Sequence, residues 1–68
     1  MKKEPSLLTL MRTDLINAGF RRKFINSLNM YALTTLYDLW DVEDKDEQNM
    51  NVDMFIEEYG FDEKDVFQ

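Results

Sequence analysis

The stretch Arg21–Trp40, RRKFINSLNMYALTTLYDLW, decides the fold class. Phe24, Ile25 and Leu28 recur at the spacing of one helical face, and Leu33, Leu36, Leu39 and Trp40 at that of a second. Between them, Asn29 to Leu33 reads as a tight elbow. Asn26 or Asn29 can close the first helix, and Thr34 or Thr35 can open the next, with Asp38 three residues past Thr35 in capping-box spacing. Two short helices joined at an elbow need cover on their apolar sides, and the flanking sequence supplies it.

Upstream, Ser6 follows Pro5 and is a good N-cap for a helix running to Ala18. Leu8, Met11, Leu15 and Ala18 lie three and four apart on one face, with Leu7 and Leu10 widening the stripe. Gly19 stands where a left-handed residue ends a helix, and Phe20 can fold back on the last turn in a Schellman-type stop. Downstream, Val52, Phe55, Ile56 and Tyr59 occupy i, i+3, i+4 and i+7, with Asn51 or Asp53 at the start. Gly60-Phe61 repeats the Gly-Phe stop, and Asp62 can cap one more turn carrying Val66 and Phe67.

Residues 41–51, DVEDKDEQNMN, carry five acids and no apolar stripe of helical period, which reads as a solvated loop. An EF-hand counted from Asp44 fails, because the sixth position is Asn49 where Gly is needed and the twelfth is Phe55 where Glu is needed. The expectation is therefore an all-α chain: a compact bundle of four short helices at about residues 6–18, 21–29, 35–41 and 52–59, with an extra C-terminal turn. Residues 6–68 form one small domain behind a flexible N-terminus of residues 1–5.

A chain of 68 residues buries only about 60% of the surface its unfolded form exposes, so its core must be dense. Nine aromatic side chains provide the volume. With no cysteine and no histidine, disulfides and thiolate or imidazole metal sites are excluded, and no serine or threonine has an imidazole base beside it. The two glycines stand 41 positions apart and cannot cradle a phosphate. The chain is read as non-catalytic, without cofactor or metal. Its first apolar run is broken by Thr9, Arg12 and Thr13, and no segment reaches the roughly 20 apolar residues of a membrane span, so a cytoplasmic location is expected.

The net charge of −6 conceals an asymmetry. Residues 1–40 hold six bases against three acids, and residues 41–68 hold two bases against eleven acids. Asp41, Glu43, Asp44, Asp46, Glu47, Glu57 and Glu58 form a candidate acidic face for a partner. Arg12, Arg21, Arg22 and Lys23 form a candidate basic patch. The triplet Arg21–Lys23 opens a helix with the wrong sign for its dipole, so a compensating anion is expected. The acidic second half of the same chain is the first candidate, and a phosphate or an acidic partner protein the second.

At LNMYALTTLYDLW and IEEYGFDEKD the chain resembles the C-terminal domain of the bacterial RNA polymerase α subunit, a helical domain related to helix-hairpin-helix modules. Asn26, Ser27 and Leu28, then Leu33, Thr34, Thr35, Leu36, Asp38 and Leu39, look like that family's N-x-L and I-x-T-v-x-D-L run. Val52, Phe55, Ile56, Tyr59, Gly60 and Phe61 are similar to its last helix and terminating Gly-Leu step. The resemblance spans about residues 23–62 and implies a related helical fold. Between Leu39 and the last helix the chain is about ten residues shorter, and the Gly-containing hairpin that approaches DNA in the family is replaced by DVEDKDEQNMN. That segment repels phosphate, so no functional residue of the family carries over.

The first functional expectation is a small acidic protein-interaction module, a phage or mobile-element regulator whose acidic face docks on the basic surface of a larger protein that handles nucleic acid, such as the transcription machinery. A sharper form is a DNA mimic, with Asp53, Asp62, Glu63 and Asp65 joining the seven acids named above. The competing expectation is nucleic-acid binding through Arg12, Arg21, Arg22 and Lys23 with Tyr31, a patch small beside the rest of the chain's charge. A monomer or weak homodimer is compatible with each, and Met30, Tyr31 and Met50 are the residues suspected of self-association.

Overall fold

A computed structural model describes residues 6–68, so the reading of residues 1–5 as a flexible N-terminus lies outside the described residues. The elements are α1 (Leu7–Asn17), α2 (Arg22–Ser27), α3 (Met30–Trp40), α4 (Lys45–Tyr59) and α5 (Glu63–Val66). The all-α expectation holds. Ser6 caps α1 by accepting from the Thr9 amide at 3.2 Å. At the other end Gly19 takes φ 121°, its N–H donates to the Ile16 carbonyl, and the Phe20 N–H reaches back to Leu15 at 3.2 Å. Those two bonds are the Schellman pair, and they turn Phe20 inward.

The boundaries of α3 and α4 differ from the sequence reading. Met30 to Leu33 is not an elbow, because Asn29, in extended conformation, accepts from the Ala32 amide at 2.8 Å and starts α3 at Met30. Leu28, not Asn26 or Asn29, ends α2. Thr34 caps nothing; its hydroxyl bonds back to the carbonyls of Met30 and Tyr31 inside the helix. Residues 45–51 are likewise not a loop. Asp44 accepts from the amides of Asp46 and Glu47, and α4 begins at Lys45, well before Asn51 or Asp53.

Within α4 the inward positions continue from Val52, Phe55 and Ile56 back to Gln48 and Asn51. Gln48 donates to the Trp40 carbonyl at 2.7 Å and Asn51 to the Leu39 carbonyl at 2.9 Å. These carbonyls belong to the last turn of α3 and have no partner within the helix. Two amides of α4 thus close the end of α3. Polar side chains fill the inward positions there, which hid the helical period.

The core gathers Leu15, Phe20, Phe24, Ile25, Leu33, Leu36, Val52, Phe55 and Val66 with their buried neighbours. Phe20 is its hub: its ring stacks on Phe67 at 5.0 Å and on Phe24 at 6.1 Å, and meets Trp40 edge-on at 4.9 Å. Each such pair adds about 0.5–1.5 kcal/mol beyond area burial. The C-terminal segment is clasped to the α1–α2 junction by an isolated antiparallel bridge between Phe20 and Phe67, with Arg21 N–H to Val66 carbonyl at 2.8 Å and Gln68 N–H to Gly19 carbonyl at 2.9 Å. The widened stripe expected on α1 does not form: Leu7 and Leu10 are exposed, as is Ala18, while Met11 and Leu15 are buried.

Candidate docking surfaces

The seven acids of the candidate face do not form one cluster. Asp41 and Glu43 lie in the link between α3 and α4, Asp44 is the N-cap of α4, Asp46 and Glu47 lie in its first turn, and Glu57 and Glu58 in its last. Fifteen residues at 1.5 Å rise put the two ends roughly 20 Å apart. Two placements have an ordinary structural reason. Asp44 satisfies two orphan amides, and Asp46 and Glu47 suit the positive end of the dipole. Glu57 and Glu58 have none, since they sit at the negative end of α4 with no basic residue in the last turn.

Helical geometry links the ends. At 3.6 residues per turn, Asp46, Met50, Asp53, Met54 and Glu57 share the side of α4 opposite Val52, Phe55 and Ile56. Met50 is 64% exposed and Met54 62%. The outer face of α4 is therefore a strip with two flexible thioether side chains at its centre and carboxylates around them. Met50 was suspected from the sequence. Met54 was missed, and extending the helical period back through the polar positions 51 and 48 is the signal that finds it. Met30 and Tyr31 are also exposed, on the first turn of α3.

The basic residues divide as well. Arg21, Arg22 and Lys23 line an open groove of about 870 Å³ together with Phe24, Ser27, Phe61, Asp65 and Gln68, whereas Arg12 on α1 does not line it. Phe24 and Phe61 meet edge to face at 4.9 Å in its apolar wall. The expected compensation by the chain's own acids is not made. Among the described residues the ion pair present is Lys64–Asp62 at 3.8 Å, and the Arg21 Nε instead donates to the Phe67 carbonyl at 2.8 Å. The first turn of α2 also lacks a side-chain cap. Asp65 lines the same groove but makes no ion pair with Arg21, Arg22 or Lys23, so these cations carry the unfavourable dipole interaction, about 0.3–1 kcal/mol each, unpaired.

Tyr37 donates its hydroxyl to Asp14 at 3.0 Å, tying α3 to α1. That bond, with the Asp14 charge behind it, raises the Tyr37 pKa above its ordinary value. Among the described residues no group of three or more acids is placed to hold a metal ion, and no helix is long and apolar enough to cross a membrane. No family model, curated protein or solved structure matches the chain. The resemblance to the polymerase α-subunit domain is carried by the residues quoted for it alone.

Proposed function

We propose that this chain is a non-catalytic protein-interaction module that docks through the outer face of α4 on a basic surface of a larger partner. The observation that carries the reading is the strip Asp46–Met50–Asp53–Met54–Glu57. Two methionines held more than half exposed between carboxylates offer adaptable apolar contact with steering charge around it. Glu57 and Glu58 support it further, because they stand where they disfavour their own helix. A basic site on a nucleic-acid-handling protein, including the transcription machinery of a phage or mobile-element host, has the complementary chemistry. Met50 and Met54 favour docking on a protein over mimicry of DNA phosphates, since a mimic gains nothing from thioethers in its charged face.

The test is capture from a nuclease-treated bacterial lysate by the tagged chain, with washes of increasing salt. The same capture is then run with Glu57→Lys/Glu58→Lys and with Met50→Ser/Met54→Ser. The protein retained by wild type should elute as salt rises and be lost from both variants, while their helical circular dichroism stays intact. Equal retention by the variants would return the strip to an ordinary solvated face. Competition by duplex DNA for the same partner would favour the mimic.

A further inference from the structure

Two surfaces of this molecule have complementary chemistry and do not meet within it. The groove between α2 and α5 has three cations and one acid, Asp65, in its lining, with the half-buried ring of Phe61 exposed over the core residue Phe24. It calls for an acidic segment with apolar anchors of flexible shape. The outer face of α4 is such a segment: Asp46, Asp53 and Glu57 supply carboxylates, and Met50 and Met54 supply sulfur atoms that pack favourably on aromatic rings.

We infer that the chain self-associates head to tail, the outer face of α4 of one copy seating in the Arg21–Arg22–Lys23 groove of the next. Within one copy no ion pair joins these surfaces among the described residues, so both stay available to a second molecule. The contact is heterologous, so it builds open chains rather than a closed dimer. The copies repel as bodies with net charge −6, but at a Debye length of about 8 Å in physiological salt the local pairing decides.

The inference uses the α4 face of the proposed function, yet it is tested on the purified chain alone, so its failure leaves docking on a foreign partner standing. Sedimentation velocity over a concentration series compares wild type, a groove variant (Arg22→Glu/Lys23→Glu), a helix variant (Asp53→Lys/Glu57→Lys) and a one-to-one mixture of the two variants. Wild type should sediment faster as concentration rises in low salt and lose that behaviour in high salt. Each variant alone should associate at least about tenfold more weakly, since like charges then face each other across the contact. The mixture should recover association, because the unaltered groove of the helix variant meets the unaltered helix of the groove variant and the two charge-reversed surfaces also match. Both variants remain net negative, so bulk attraction cannot explain recovery. A wild type that stays monomeric throughout would overturn the inference, as would variants that associate like wild type or a mixture that fails to recover. Oligothymidine that shifts the amide resonances of residues 21–24 in a monomeric wild type would assign the groove to phosphate instead.

Discussion

Position 60 turns left-handed at φ 76°, with open space where a Cβ would stand. Substitution there meets no neighbour, so its cost is the backbone conformation alone. Gly60→Ala should lose about 1–2 kcal/mol, and Gly60→Asn less, because the short amide side chain tolerates this region. Gly19 sits at φ 121°, farther from any conformation an L-residue favours, and its neighbourhood is equally open. Gly19→Ala should therefore cost more than Gly60→Ala, and Phe20 behind it makes the loss felt in the core. Thermal unfolding by circular dichroism ranks the three variants; equal midpoints for the two alanine variants would remove the argument from φ.

At the scale of elements, α4 depends on polar contacts that fasten it to α3. Truncating Asn51 removes the side-chain donor to the Leu39 carbonyl, whereas the Trp40 carbonyl keeps the Val42 N–H when Gln48 is truncated, so Asn51→Ala should cost about 1 kcal/mol and Gln48→Ala less. Amide exchange should then rise at Asp41 and Val42, which bond to the last turn of α3. Protection unchanged in the double variant would mean that water replaces both amides freely. Glu57→Lys/Glu58→Lys should act in the other direction, raising the unfolding midpoint by improving the dipole while lowering partner capture. A fall in both would mark the two acids as structural.

These elements also measure how far the sequence could be read. Both Gly-Phe stops, the Ser6 cap, the Asp62 turn and the apolar faces of α2 and α3 were legible, because glycine conformation and apolar spacing act locally. The first two turns of α4 were not, since Gln48 and Asn51 fill inward positions where the pattern demands apolar residues. Asn29 reads as the end of one helix, but in the structure its side chain opens the next, because an asparagine in extended conformation is also a good N-cap. The groove was half legible: the cations are consecutive in sequence, but Phe61, Asp65 and Gln68 join them only through the clasp of the C-terminal segment onto Phe20.

In the whole molecule, the aromatic core and the charge segregation have separate tasks. Phe20, Phe24, Trp40, Phe55, Tyr59, Phe61 and Phe67 interlock α2, α3 and α4 with the segments that flank them and carry the stability of a short chain that lacks disulfides. The surface is then left to hold charge in places its own helices disfavour: cations at the start of α2, acids at the end of α4. The outer face of α4 is the surface proposed to meet another protein. Site-specific photo-crosslinking tests it most directly, with benzoylphenylalanine placed at Met54 and, as a control, at exposed Thr9 on α1. Position 54 should give an adduct with a larger protein, one that fades with added salt, and position 9 none. A position-54 derivative that yields no adduct, or the same adducts as position 9, would contradict it.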